Sequence, residues 1–238
     1  MKKALFTFAA TLFLAYSISA QHAKASTKVK HIIGEKYKDG IVFWVDDTGG
    51  GGLIAAQTAR DYNDSGKLKS TQQDYAGAIL DYNKAIALDQ YFDSAYYNRG
   101  DAKNYLNDYK GAVKDFSKAI GLDPKYSAAY HNRAIVKEML EDYAGAIEDY
   151  SKVIALDPKD ALAYYGRGKS KGSLKNYKGA IKAYDMAIKV WPYYAEVYLN
   201  RANARLKIGD KAGGCADLNK AYELGISSAS DLIKKYCQ

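Results

Sequence analysis

The sequence predicts an all-α protein, a solenoid of five tandem helical hairpins preceded by a short β-hairpin segment. Three observations predict this class. A 34-residue unit recurs in register, each unit carries two stretches with apolar residues at helical spacing, and proline is scarce, at three of 238 residues. Because one hairpin cannot bury its own apolar face, a repeat of this length indicates hairpins stacked side by side.

The 34-residue period is visible at three places in each unit. A segment that starts with Tyr and carries Arg at its fourth residue occurs at 96–100, 130–134, 164–168 and 198–202. A segment of Asp or Asn, Tyr, any residue, Gly and Ala occurs at 74–78, 108–112, 142–146 and 176–180. A third segment, Leu-Asp-Pro or a variant of it, occurs at 88–90, 122–124, 156–158 and 190–192. The resulting units are 59–92, 93–126, 127–160, 161–194 and 195–228.

Each unit is expected to form two helices, as 93–126 illustrates. Apolar and small residues recur at helical spacing from Ser94 to Leu106. Asn107 and Asp108 then form a polar turn, in which Asp108 is suited to cap the second helix. That helix ends at Asp123–Pro124, because proline cannot continue the hydrogen-bond ladder.

Residue size at fixed positions indicates how the helices pack. Position eight is Gly or Ala from the second unit onward, and position twenty is Ala in four units and Gly in the fifth. Small side chains there let the two helices of a hairpin approach closely. Position twenty-four is large and is expected to fill the space between hairpins: Tyr82, Phe116, Tyr150, Tyr184 and Leu218.

This pattern resembles the tetratricopeptide repeat over residues 59–228. The resemblance implies a right-handed α–α superhelix that binds a protein segment on a concave face lined by the first helices. The departures are local: the usual Leu at position seven is Arg, the first unit ends in Gln90 rather than Pro, and the last unit has Lys211 where the others have an aromatic residue. Chaperone tail capture is not expected, because the Lys/Asn/Arg set that performs it does not occur at the matching positions.

The resemblance also names candidate partner-binding residues, at the positions that line the concave face in the family. They are Tyr97, Asn98, Asp101, Tyr105, His131, Asn132, Tyr165, Lys169, Asn200 and Asn203. Tyr and Asn are common recognition residues, since they offer rigid or adaptable surfaces with donors and acceptors. The alternative is that these side chains are only solvated.

Four arginines recur at position seven: Arg99, Arg133, Arg167 and Arg201. Asp81, Asp115, Asp149 and Asp217 recur at position twenty-three. We expect a structural ladder of ion pairs, within a hairpin or with the preceding one, since a guanidinium can bond one carboxylate twice. The alternative is four arginines that grip a ligand.

Residues 229–238 are suited to a short helix that caps the stack, with Leu232, Ile233 and Tyr236 facing inward. Cys215 and Cys237 are the only cysteines. An antiparallel helix pair brings them level, since each lies about 15 Å of helix from the connecting loop. They are therefore a candidate disulfide in an oxidising compartment, or else two separate thiols packed as small apolar groups.

The N-terminus carries a segment typical of export. Lys2 and Lys3 precede an uncharged, mostly apolar run over 4–18, and small residues follow before Gln21. Residues 1–20 are interpreted as a signal peptide, with an uncleaved anchor as the alternative. The run is about 15 residues, whereas a spanning helix needs roughly 20. We expect no stable membrane span after cleavage and a location in the periplasm, outside the cell or at its surface.

Residues 21–58 are not part of the repeat. The β-branched and aromatic run 40–45, the glycine-rich 46–52 and the apolar 53–56 predict a β-hairpin. This segment resembles the opening of a β-rich module of secreted bacterial proteins, whose remainder is absent. The hairpin is expected to pack on the first repeat or to pair with another chain; a mobile tail is the alternative.

Composition and motifs bound the function. The net charge is +8, of which Lys2 and Lys3 supply two, and so modest an excess in an exported chain does not favour nucleic acid. No metal-ligand spacing, nucleophile motif or dinucleotide fingerprint occurs, so neither an enzyme nor a cofactor is expected. The expectation is a protein-binding scaffold. A module for cell-wall or carbohydrate ligands, using the Tyr-rich groove and Trp44, is the alternative, and a hydrolase is third.

Overall fold

The computed structural model of the protein describes residues 41–45, 51–55 and 58–237. The predicted signal peptide 1–20 lies outside the described residues and stays a prediction. Strand β1 (Ile41–Val45) pairs antiparallel with strand β2 (Gly51–Ala55), with Ile41 opposite Ala55 and Val45 opposite Gly51. A hairpin therefore lies where β-branched and aromatic residues flank the glycine-rich run. Its predicted packing on the repeats or on another chain stays a prediction.

The rest of the described chain is helical, as the sequence predicts. The first four helices are α1 (Ala59–Thr71), α2 (Tyr75–Leu88), α3 (Asp93–Tyr105) and α4 (Tyr109–Leu122). The next four are α5 (Ser127–Met139), α6 (Tyr143–Leu156), α7 (Ala161–Ser173) and α8 (Tyr177–Val190). The last three are α9 (Ala195–Lys207), α10 (Lys211–Glu223) and α11 (Ala229–Tyr236). From α3 onward each helix packs against its neighbours in sequence, which confirms the predicted stack of hairpins.

The turn inside each hairpin is built by two residues in sequence. The first has a positive φ and ends the first helix: Gln73, Asn107, Glu141, Lys175 and Gly209. The second caps the following helix, since its side chain accepts a hydrogen bond from the backbone N–H three residues on. Asp108, for example, accepts from Gly111 N at 2.9 Å. The polar turn predicted at Asn107–Asp108 thus recurs in every hairpin.

The core has the predicted complementarity of small and large residues. Position eight is small and buried in all five units, and position twenty-four carries Tyr82, Phe116, Tyr150, Tyr184 and Leu218, all buried. The two positions touch: a Cβ built on Gly168 would overlap the ring of Tyr184, and one built on Gly66 would overlap Tyr82. Gly66 and Gly168 therefore leave the space that the two tyrosine rings occupy.

We predict that Gly168→Ala lowers the free energy of unfolding by about 1–3 kcal/mol, because the added methyl group must displace the packed ring of Tyr184. Gly172→Ala, in the same helix, is the matched control. The nearest atom to its Cβ is the Tyr184 hydroxyl at 4.0 Å, so the better helix propensity of Ala is expected to add up to about 1 kcal/mol. Urea denaturation measures both. Equal effects of the two substitutions would show that ring packing does not select glycine at 168.

The C-terminal helix covers the last hairpin and is tied to it by a disulfide. Leu232 and Ile233 are partly buried against α9 and α10, as predicted. Tyr236 is exposed instead, so its predicted inward orientation is wrong; its ring lies beneath Lys235, 5.0 Å from Nζ to the ring centroid. Cys215 and Cys237 form a disulfide with their Cα atoms 5.6 Å apart.

Candidate functional site

The ten residues proposed to bind a partner all lie on the first helices of successive hairpins. Helix α3 carries Tyr97, Asn98, Asp101 and Tyr105; α5 carries His131 and Asn132; α7 carries Tyr165 and Lys169; α9 carries Asn200 and Asn203. We call these ten residues the first-helix face. Seven of the ten side chains are partly buried, whereas Tyr105, Lys169 and Asn203 are exposed.

Several residues of the first-helix face are hydrogen-bonded from one hairpin to the next. Asn132 Nδ2 donates to the hydroxyl oxygen of Tyr97 at 3.0 Å and to Asp101 Oδ1 at 3.4 Å. Asn200 Nδ2 donates to the hydroxyl oxygen of Tyr165 at 3.1 Å. Such bonds hold side chains that would otherwise lose rotamer freedom on binding, and so lower the entropic cost of recognition.

A similar bond extends the series to the first hairpin. Asn98 Nδ2 donates to Asn63 Oδ1 at 2.9 Å, and Asn63 is 2% exposed. Asn63 is not among the candidate residues named from the sequence, all of which lie in later units. Asn63 occupies position five of its unit, and the same position is Tyr97, His131 and Tyr165 in later units. This shared position is the signal in the sequence that identifies Asn63.

The series is interrupted at the fourth hairpin. Position six is Gly166 in α7, where α3, α5 and α9 have Asn, and a Cβ there would overlap the ring of Tyr150. That ring lies edge-on to His131, with 5.6 Å between centroids. Burial lowers the pKa of His131, while the negative charges of Asp160 and Glu138 oppose that shift. His131, Asn132 and Asp160 line a cleft of about 340 Å³ at the N-terminal ends of α5 and α7.

Glu138 is an acidic residue beside the first-helix face and is not one of its ten residues. Its side chain is 10% exposed; it accepts from Ser170 Oγ at 2.6 Å and pairs with Lys169 Nζ at 3.4 Å. Burial raises the pKa of Tyr150, and the charge of Glu138 raises it further. Glu138 stands at position twelve, one of the lining positions of the family, so its position was the available signal.

Tyr105 and Asn203 contribute the exposed ends of the face. Tyr105 is 59% exposed, and its ring stacks on Tyr75 with 4.6 Å between centroids. Asn203 lines a cleft of about 180 Å³ with Leu206, Lys207, Leu232 and Tyr236. The face therefore offers an aromatic surface at one end and an amide beside apolar residues at the other.

The predicted ladder of ion pairs forms for three of the four arginines, within each hairpin. Nε and Nη2 of Arg133 donate to Oδ2 and Oδ1 of Asp149 at 2.9 and 2.6 Å. Arg99 with Asp115 and Arg201 with Asp217 repeat this geometry. A second cation, Lys103, Lys137 or Arg205, pairs with the same carboxylate. These arginines are therefore structural.

The described residues offer neither a metal centre nor a spanning helix. Across 58–237 and the two strands, no group of three His, Cys, Asp or Glu side chains could hold a metal ion. Among the same residues no helix is long and apolar enough to cross a membrane.

The stacked hairpins and their polar face define a helical-repeat protein of the scaffold class. Three models of the tetratricopeptide repeat match the sequence, at residues 94–126, 140–175 and 165–229, together more than half of the chain. The chain belongs to the tetratricopeptide repeat family. No curated protein matches the sequence.

Several solved structures share this fold. The crystal structure of MamA protein is 26% identical, with a TM-score of 0.67 over 76% of this chain and 96% of that one. MamA residues 41-end from Desulfovibrio magneticus RS-1 are 21% identical, with a TM-score of 0.68 over 73% and 98%. YrrB, described as a TPR protein with an unusual peptide-binding site, is 20% identical, with a TM-score of 0.68 over 75% and 93%. Membership of the tetratricopeptide repeat family supports a role in protein–protein interaction in general.

Proposed function

We propose that the protein is an exported bacterial scaffold, in the periplasm or outside the cell, that binds a segment of a protein partner on the first-helix face. The observation that carries the proposal is the cross-hairpin hydrogen bonding of Tyr97, Asn132, Tyr165 and Asn200. It holds recognition side chains along four consecutive hairpins, and a pre-organised surface of this kind costs less to order on binding. The peptide-binding site of YrrB, a protein of the same fold, supports the same use. The proposal includes no catalysis and no binding of nucleic acid.

Site-specific crosslinking in the native envelope tests the proposal. A photo-crosslinking residue at Tyr105 or Lys169, both exposed on the first-helix face, is expected to capture one protein. The matched control places the same photo-crosslinking residue at Lys152, which is exposed on α6, the second helix of its hairpin. This position is expected not to capture that protein. Crosslinking from Lys152 alone would place the interface elsewhere. Retention of a glycan without any protein would favour the carbohydrate alternative instead.

We predict that Tyr105→Ala weakens binding of the captured segment by about tenfold, since exposed aromatic side chains are frequent binding hot spots. Lys152→Ala is expected to leave the affinity unchanged. Titration calorimetry with the purified segment measures both values, and thermal unfolding of the free variants shows that the fold is kept. Equal affinities for the two variants would contradict the assignment of Tyr105 to the binding face.

A further inference from the structure

The fourth hairpin, α7 with α8, has the cations of the ion-pair ladder but not its carboxylate. Position twenty-three is Asp in the four other hairpins and Ala183 in this one, and Ala183 is 1% exposed. The cations that would bond this carboxylate are Arg167 at position seven and Lys171 at position eleven.

The guanidinium of Arg167 nevertheless stays in the position of its equivalents. Its Cζ lies 5.3 Å from the ring centroid of Tyr164, and the corresponding distance from Arg133 to Tyr130 is 5.5 Å. Nη1 of Arg167 donates to Ser151 Oγ at 3.5 Å, as Nη1 of Arg133 does to Ser117 Oγ at 2.9 Å. Arg167 is thus already oriented towards the place that a carboxylate occupies in the neighbouring hairpins.

Both cations lack an acidic partner within the described residues. Nε of Arg167 is buried and has no hydrogen-bond partner there, whereas the equivalent Nε of Arg133 bonds Asp149. Burial lowers the pKa of Arg167, and burial together with the charges of Arg167 and Lys182 lowers the pKa of Lys171. A buried donor on a charged group without a partner is costly, so an anion that bonds it is bound favourably.

We propose that Arg167 and Lys171, beside Ala183, form a binding site for a single carboxylate group supplied from outside the chain. The three complete hairpins define the chemistry: one planar monoanion receives two parallel bonds from the Arg fork and a third from Lys or Arg, as Asp115 does from Arg99 and Lys103. Both side chains are partly exposed, which leaves access from solvent. Unit 161–194 carries seven Lys or Arg residues and one acidic residue, and this net positive charge attracts an anion to the hairpin.

Acetate is the probe, and Ala183→Asp is the decisive variant, since it installs the carboxylate that the other hairpins carry. Acetate labelled at its carboxyl carbon is expected to show a broadened resonance with the wild-type protein and no broadening with Ala183→Asp. At about ten times its Kd, acetate is expected to raise the Tm of the wild type by about 3–6 °C more than that of the variant. Comparison with the variant at fixed ionic strength cancels the general effect of acetate on stability.

Arg167→Leu is the second variant and places the residue usual in the family at position seven. It is expected to abolish the broadening while the helical circular dichroism is kept. Equal broadening in wild type and both variants, or none in the wild type, would overturn the proposal.

Displacement of acetate by acetyl-Gly-Glu-Gly-amide, and not by its Gln analogue, would assign the carboxylate to a peptide side chain. Acetate binding without displacement would assign it to a free small anion, and either result supports the site.

The carboxylate site and the proposed function fail independently. Arg167, Lys171 and Ala183 are outside the ten residues of the first-helix face. Loss of acetate binding therefore leaves the crosslinking result at Tyr105 and Lys169 unchanged, and the absence of a captured protein leaves the acetate result unchanged.

Discussion

Replacing Asp149 by Ala is expected to lower the free energy of unfolding by about 3–5 kcal/mol, the largest effect of any single substitution predicted for this chain. The Asp149 side chain is 3% exposed and accepts from Arg133 twice and from Lys137 at 2.9 Å. Removal of this carboxylate leaves two partly buried cations beside each other without their shared partner. The cost is the uncompensated charge rather than the lost bonds alone.

Urea denaturation measures this loss, with Glu148→Ala as the matched control. Glu148 is the neighbouring residue in α6 and is exposed, so its removal is expected to change stability by no more than about 0.5 kcal/mol. The double variant Arg133→Leu with Asp149→Ala is expected to recover part of the loss, because it removes one of the two unpaired cations. Similar stabilities of Asp149→Ala and Glu148→Ala would refute a stabilising role for the ladder.

Replacing Cys215 by Ser is expected to lower the free energy of unfolding by about 3 kcal/mol under oxidising conditions. The disulfide to Cys237 spans 22 residues, and closing a loop of this length in the unfolded chain accounts for that magnitude. The variant also frees α11, whose Leu232 and Ile233 cover the last hairpin. Because α11 is then no longer tied to the last hairpin, we expect it to open locally and to be the first element to exchange its amide hydrogens.

Reductant provides the matched test of the disulfide. Treating the wild type with a thiol reductant is expected to reproduce the stability of Cys215→Ser, whereas the variant itself is expected to be insensitive to it. Urea denaturation with and without reductant gives all four values. A wild type that is equally stable in both conditions would show that the disulfide does not hold the capping helix.

The period alone was enough to predict the hairpins, because helix starts and ends are decided by residues close in sequence. Asp108 and its equivalents cap a helix through a bond only three residues long, and Pro124 and its equivalents prevent its continuation. The inward orientation predicted for Tyr236 was wrong for the opposite reason. Its environment depends on how α11 lies against α9 and α10, which no local pattern specifies.

The candidate site was predictable by position but not by contact. The lining positions of the family placed ten candidate residues on the first helices. Glu138 also occupies a lining position but was not among the ten. Which of these side chains are held and which are free depends on bonds between residues 31 to 35 apart in sequence, such as Asn132 with Tyr97 and Asp101. Such distances are set by the stacking of hairpins.

By itself the sequence determined the number of hairpins, their order and the residue type at each position of the unit, since these follow from a 34-residue period and local helix chemistry. The tertiary structure decided the partners. It paired Arg133 with the carboxylate of its own hairpin, 16 residues away, where the sequence allowed that hairpin or the preceding one. It also decided the consequence of one change in the repeat, Ala183 in place of Asp. Packing alone brings positions seven, eleven and twenty-three together, so the cations at positions seven and eleven of that hairpin lack a carboxylate.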